Sequence, residues 1–361
     1  MDTLTHALSG ALLARATAPA PSANVLPLRR RIAIGALAAA FPDIDFVVSW
    51  LSPLSYLYHH RGVTHSLLML VVWALLLSWL CTKLWRGDPG WRAYAGVIAW
   101  GIAAHIAGDW ITSFGTMIFA PLSHWRAALS TTFIIDLWFS GILLAGLLAS
   151  WLWRRSYRAR WPAVAGLAVL CAYVAFQFAM QQRAVDFGEQ YAAKSGLRGA
   201  RVSALPRPVS PFNWMVIVET DDRYHYSLVN LSSREAPALA ADAGFIARLA
   251  APYLPLELAQ WVSADRLGSI GAPVQSTLAR EVMAHPQFGF FRWFAQYPVL
   301  YRVDAGNPPA LNACVWFQDL RFFTPGRTVW PFRYGMCREG GGEWRAYELL
   351  GDNTASRARV Y

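Results

Sequence analysis

The chain has 361 residues, 55% of them hydrophobic and only 15% charged. Soluble proteins usually carry about 25% charged residues, so a wholly soluble enzyme is excluded; the deficit lies in the first half, which reads as a membrane part followed by a water-soluble part. The net charge of +10 would suit nucleic acid. However, the basic residues cap apolar runs (Arg29-Arg30-Arg31, Arg154-Arg155, Arg158, Arg160) and form no stripe with interleaved aromatics, so nucleic-acid binding is set aside.

In chain order, Leu4 to Pro19 is small and apolar. It lacks a basic lead-in and contains His6, so it reads as a short membrane helix rather than a signal peptide. Ile32 to Leu51 is apolar but interrupted by Pro42-Asp43-Ile44-Asp45. Leu67 to Trp85 is long enough to span, with Thr64-His65-Ser66 as its lead-in. Ala93 to Phe114 spans again and carries His105 and Asp109. Phe133 to Trp153, with Asp136 near its start, and Pro162 to Met180 complete about six expected transmembrane helices.

The basic clusters at 29–31, 83–92 and 154–160 are expected on the cytoplasmic side. A topology drawn from Lys and Arg alone then gathers His6, Asp43, Asp45, His60, His65, His105, Asp109 and Asp136 towards the opposite, outer side. The two residue sets are independent, which gives the convergence its weight. Intramembrane His and Asp are expensive and usually functional.

The remaining chain, from about 183 to 361, alternates like strands at Trp214–Glu219, Tyr224–Val229, Ala313–Phe317 and Trp344–Leu349, with Asp221-Asp222 as a turn. Residues 236–300 look helical in parts, broken by Pro252, Pro255, Pro273 and Pro286. A small soluble α+β domain is expected, on the outer side with the His/Asp cluster. Cys81 and Cys171 lie in apolar runs; Cys314 and Cys337 lie in strand-like segments and can pair if that half faces an oxidising compartment.

The densest chemistry is His59-His60-Arg61-Gly62-Val63-Thr64-His65-Ser66, with three of the eight histidines. His105 and Asp109 are four apart, so a helix puts both on one face. Asp43 and Asp45 flank one residue after a proline, and His60 and His65 add nitrogen donors. Mixed imidazole and carboxylate donors suit Zn²⁺, Mn²⁺ or Fe²⁺, and the number of candidates allows two or more ions. Paired ions can clamp a phosphoryl group and activate water. Arg61 is a candidate for bidentate phosphate contact, Thr64 and Ser66 for orienting ligands, and Asp45 or Asp109 for general base. His59 is expected to be a neighbour, and Asp2 a helix cap.

Met1-Asp2-Thr3-Leu4-Thr5-His6, Phe41-Pro42-Asp43-Ile44-Asp45, His59-His60-Arg61-Gly62-Val63-Thr64-His65-Ser66, His105 with Asp109, and Phe133-Ile134-Ile135-Asp136 together resemble the bacterial membrane-bound metal-dependent hydrolase family, the YdjM/YfhP-like group. The resemblance covers about residues 1–180. It implies an integral inner-membrane, metal-dependent hydrolase with His6, Asp43, Asp45, His60, His65, His105 and Asp109 as ligands. The His-x-x-x-Asp spacing is also similar to that of zinc-dependent phospholipase C and single-strand nucleases. That similarity implies phosphoester hydrolysis; Zn is the first candidate metal, and a site opening at the bilayer surface suits a membrane lipid or lipid-linked substrate. Trp110 departs from the usual leucine-rich run and is expected to reshape the pocket. The alternative is a non-catalytic membrane metal transporter or sensor. A metallopeptidase is disfavoured, because no Glu occurs in the first 180 residues to serve as base.

Overall fold

The computed structural model describes residues 1–361 apart from 21, 23, 86–88, 154–159, 238, 240–241, 269–271, 307–310, 328 and 361. The expected anchors Arg86, Arg154, Arg155 and Arg158 lie outside the described residues. The chain forms two compact units: residues 1–48 with 58–180, and residues 49–57 with 181–361.

The first unit is helical: α1 (Thr3–Ala16), α2 (Leu28–Ala40), α4 (Leu67–Leu84), α5 (Trp91–Trp110), α6 (Leu137–Leu152) and the first part of α7 (Trp161–Lys194), with α3 (Pro53–His59) crossing the boundary between the units. Helices occupy all six expected positions. Three stretches, Leu28–Trp50, Leu67–Leu84 and Trp161–Lys194, are long and apolar enough to cross a membrane. The other three fall short for physical reasons. α1 has 14 residues and α6 has 16, about 21 and 24 Å of helix against a hydrocarbon core of about 30 Å. Arg92, His105 and Asp109 dilute the apolar character of α5.

Ser66 caps α4 by accepting from the backbone N–H groups of Leu68 and Met69. Only 11% of the apolar window of α4 is buried, and Leu68, Val72, Leu75, Leu76 and Trp79 are exposed. A helix that turns its leucines outward is solvated by hydrocarbon. The helices meet through small residues instead. A Cβ on Gly10 of α1 would lie 2.1 Å from the Gly35 carbonyl oxygen of α2. One on Gly101 of α5 would lie 2.8 Å from Ala38 Cβ, and Gly146 of α6 faces Gly166 of α7. Polar clips reinforce the contacts: Thr5 to Ser140 at 2.8 Å and Arg15 Nε to Ser150 Oγ at 2.7 Å.

The Pro42-Asp43-Ile44-Asp45 interruption is a tightening rather than a break. α2 passes directly into a 3₁₀ helix over Phe41–Trp50, a form that often marks functional segments within helices.

The second unit is rich in sheet. One sheet runs β1 (Arg201–Pro206), β2 (Asn213–Glu219), β3 (Arg223–Asn230), β4 (Leu254–Pro255), with β5 (Val262–Asp265) also on β3. The other has the order β10 (Arg357–Arg359), β9 (Arg345–Leu349), β8 (Tyr334–Arg338), β7 (Ala313–Asp319), β6 (Pro298–Ala305). α8 (Phe245–Ala250), α9 (Pro273–Ala284) and α10 (Gly289–Phe294) fill the expected helical region. The β2 run Trp214 to Val218 is continuously apolar because both faces are covered. Val216 meets α7 at Gly188, while Met215 and Ile217 join Val299 and Leu320 in a core cluster. Cys314 and Cys337 are cross-strand partners on β7 and β8 and form a disulfide. In the segment 49–57, Tyr56 stacks on Phe332 within this same unit.

Candidate metal centre

The site is assembled from four chain segments. α1 brings His6 in its first turn, and Asp2 caps that helix by accepting from the Thr5 N–H at 3.0 Å. The 3₁₀ helix brings Asp43 and Asp45, the turn before α4 brings His60, Arg61 and His65, and the last turns of α5 bring His105 and Asp109. The α1–α2 and α2–α5 glycine contacts allow the helices to approach closely enough for these side chains to meet. Gly108 adds to this: a Cβ there would lie 3.2 Å from His6 Cε1.

His6, Asp43, His105 and Asp109 each offer a ligand atom, all within 4.8 Å of one another. His65 adjoins them, with Nε2 at 3.3 Å from Asp109 Oδ2 and 3.7 Å from Asp43 Oδ1. His105 Nε2 is 3.5 Å from Asp109 Oδ2 and 3.6 Å from Asp43 Oδ1. The His65 and His105 rings meet edge to face at 4.6 Å, and His6 stacks on His105 at 3.6 Å. All three histidines and Asp109 are fully buried.

The hydrogen bonds set the tautomers. His105 Nδ1 lies 2.6 Å from the Ala39 carbonyl oxygen, which can only accept. Nδ1 therefore carries the proton, and Nε2 is left as a lone pair. The Thr64 hydroxyl donates to Asp45 Oδ2 at 2.8 Å and accepts from His65 Nδ1 at 2.9 Å, so His65 also presents Nε2 unprotonated. His6 Nε2 faces Asp109 Oδ1 at 3.2 Å, leaving Nδ1 as its lone pair. The four atoms so exposed, His6 Nδ1, His65 Nε2, His105 Nε2 and Asp109 Oδ2, are buried without hydrogen-bond partners. Of these, His65 Nε2 and His105 Nε2 face Asp109 Oδ2 at 3.3 and 3.5 Å, whereas His6 Nδ1 lies beside Gly108; buried acceptors facing one another repel and lack the partners such groups normally find. A cation between them removes both penalties, so the donor set fits a divalent metal.

Asp45 and His60, expected as ligands, bond to each other here and stand outside the group of four, as His65 does. Asp45 accepts from His60 Nδ1 at 2.7 Å, from the Arg61 backbone N–H at 3.0 Å and from Thr64, and lies 3.2 Å from His65 Nδ1. Both its oxygens are thus engaged by protein donors. Arg61 is likewise turned inward. Its backbone is left-handed at φ 59°, a conformation costing about 1–2 kcal/mol for a non-glycine residue. That turn lets its N–H reach Asp45 while the guanidinium pairs with Asp109 Oδ1 at 2.9 Å and donates to Thr112 Oγ1 at 2.9 Å. The Met1 α-amino group also pairs with Asp109 Oδ1.

The residues 1–184 match the family model of the YdjM inner membrane protein. The chain belongs to the YdjM inner membrane protein family. The family residence is the inner membrane, in agreement with the resemblance read from the motifs. No curated protein and no solved structure matches the chain.

Relative to this family motif set, the structure adds partners that the sequence reading missed. Thr3 Oγ1 donates to Asp43 Oδ2 at 2.6 Å, which aims Oδ1 inward. Thr112 holds Arg61, and the Ala39 carbonyl holds His105. Thr3 was discoverable, because it lies three residues from His6 on one face of α1; Thr112 lies beyond the end of α5 and carries no such signal. A backbone carbonyl leaves no residue-type signal. Trp110 is 41% exposed instead of lining the buried cluster, and His59 is exposed. Ser66 is occupied with the α4 cap and with the Ala120 carbonyl at 2.5 Å.

Proposed function

We propose that the chain is an integral inner-membrane, metal-dependent hydrolase with about six membrane-embedded helices, acting on a phosphoester of a lipid or lipid-linked substrate. The observation that carries this reading is the convergence of unpartnered lone pairs on His65, His105 and Asp109 beside Asp43 and His6. His65, His105, Asp109 and Asp43 would hold the ion, with His6 adjoining. A divalent ion there supplies Lewis acidity, polarising a phosphoryl oxygen and easing the ionisation of water; zinc is the first candidate, manganese or iron the alternatives.

The protein groups have separable tasks. Asp45 and Thr64 hold the tautomer and orientation of His65, Ala39 those of His105, and Arg61 the orientation of Asp109. Asp45 and Asp109, the sequence candidates for general base, each already accept from several donors. Asp43 has 15% side-chain exposure, so it is the carboxylate placed to pass a proton outward. Its neighbours Leu4, Ile44 and Phe46 are 70%, 54% and 50% exposed. Exposed apolar side chains near a partly exposed carboxylate favour an amphiphile over a free sugar or peptide. The disulfide supports an oxidising, periplasmic location for the second unit.

The test is metal content by elemental analysis of detergent-solubilised protein, beside His65→Ala and His105→Ala. Hydrolysis of a phospholipid and polyprenyl-phosphate panel is then measured. Stoichiometric metal lost in both variants, with metal-dependent turnover, is expected. Metal without turnover on any phosphoester would replace the enzyme with a non-catalytic metal-binding protein. Absence of metal after add-back would overturn both.

A further inference from the structure

The opposite ends of the same helices carry a second feature. A cavity of about 330 Å³ is bounded by Thr17 after α1, by Val25 and Leu26 of the following loop, by Arg31 in the first turn of α2, and by Arg92 and Trp100 of α5. A second cavity of about 230 Å³ shares Val25, Leu26 and Arg31 with it. Together they reach the size of small-ligand pockets. On α5, Arg92 is thirteen residues from His105, about 20 Å of helix. On α2, Arg31 is twelve residues before Asp43, and on α1 Thr17 is eleven after His6. All three helices thus separate this cavity from the metal cluster.

The lining is cationic. No acidic side chain lines either cavity among the described residues. Arg31 spends Nε on the Ala14 carbonyl at 3.0 Å and Nη2 on the Thr17 carbonyl and hydroxyl at 3.1 and 3.0 Å. Those bonds fix the guanidinium against the end of α1, and Nη1 has no hydrogen-bond partner among the described residues. Arg92 lies over the Trp91 ring at 5.5 Å and makes no ion pair among the described residues. Trp100 is 57% exposed, so one wall is an aromatic side chain open to the surrounding hydrocarbon, as at membrane interfaces. Further pairs of the same kind, Arg30 over Trp85 at 5.9 Å and Lys83 over Trp79 at 5.6 Å, occur on α2 and α4.

We infer that this cavity binds a phosphate-bearing anionic headgroup, with Arg31 fixed in advance and Arg92 closing from α5. Such a site is independent of the metal centre and of its proposed chemistry. Basic pockets between membrane helices are suited to lipid phosphates. The same chemistry would also accept a soluble glycerophosphate.

The test uses the full chain in detergent and native mass spectrometry. Phosphatidylglycerol and phosphatidylcholine of identical acyl chains are titrated against wild type, Arg92→Gln, Arg31→Lys and Arg29→Gln. Arg29 is an exposed neighbour that does not line the cavity and serves as the charge-matched control. One retained phosphatidylglycerol is expected, weakened about fivefold by Arg92→Gln and unchanged by Arg29→Gln. Arg31→Lys keeps the charge but loses the fork, and should weaken retention. Displacement by millimolar glycerol phosphate would assign the source as soluble, and resistance to it would assign the bilayer. Equal retention of both lipids, or equal losses in Arg29→Gln and Arg92→Gln, would overturn the site.

Discussion

Replacing Asp45 by Asn separates a ligand from a residue that positions one. The carboxylate faces four donors: His60 Nδ1 at 2.7 Å, Thr64 Oγ1 at 2.8 Å, the Arg61 N–H at 3.0 Å and His65 Nδ1 at 3.2 Å. Asn keeps one acceptor oxygen and turns an NH₂ towards the remaining donors. Whichever way it sits, about half the accepting capacity becomes a donor–donor clash, and the His65 tautomer is no longer held. Loss of such an outer partner typically weakens metal binding about 10- to 100-fold, or about 1.4–2.7 kcal/mol. Asp45→Asn should therefore still fill stoichiometrically at high metal, with a dissociation constant raised by that factor. His105→Ala should fail to fill at any concentration. Competition against a fluorescent chelator measures both. An Asp45→Asn protein that never fills would make Asp45 a direct ligand, and one with unchanged affinity would remove its role altogether.

Further outcomes follow from the packing and the second unit. Gly10→Ala puts a methyl 2.1 Å from the Gly35 carbonyl oxygen, a backbone contact that cannot yield cheaply. It should cost about 1–3 kcal/mol and lower metal retention together with the melting temperature, since α1 carries His6; retention unchanged at a lower melting temperature would uncouple the two. Cys314→Ser opens a disulfide of sequence separation 23, a loop whose closure is worth about 3 kcal/mol. Maleimide labelling of Cys314 and Cys337 should require prior reduction, and labelling without it would refute the pairing. In the second unit, burial pushes the Glu348 carboxyl above its usual range, partly opposed by the Tyr334 hydroxyl. A raised folded-state value favours the folded form below the ordinary carboxylate range, and this contribution is lost as pH rises through the raised value. Glu348→Gln should thus raise the melting temperature at pH 7 and leave it unchanged near pH 4, measured by thermal unfolding at the two pH values. A lower melting temperature at pH 7 would contradict this sign.

The His/Asp cluster was legible because its residues are expensive where they sit. An imidazole or carboxylate beside an apolar run has few reasons to be there, and a topology drawn from Lys and Arg collected these residues without reference to them. That argument finds members of a polar cluster but cannot sort them, because ligand and orienting residue are the same types at the same spacing. Asp43 and Asp45 differ by two positions in one 3₁₀ turn, yet one reaches the group of four and the other faces His60, Thr64 and Arg61. The sorting depends on backbone events that residue types do not encode, such as the left-handed turn at Arg61 and the Ala39 carbonyl under His105. Three of the six expected spans are not long or apolar enough to count as membrane-crossing helices, for a related reason. α1 and α6 are short, and α5 carries His105 and Asp109 of the cluster within its apolar run. In the second unit, strands were legible where both faces are apolar, as in β2 and β7, or where alternation is regular, as in β3. The addition of residues 49–57 to that unit, across more than a hundred intervening residues, had no local signal. This excursion lies between Asp45 and His60, so the chain joins the two halves of one hydrogen-bonded pair through a segment that belongs to the other unit.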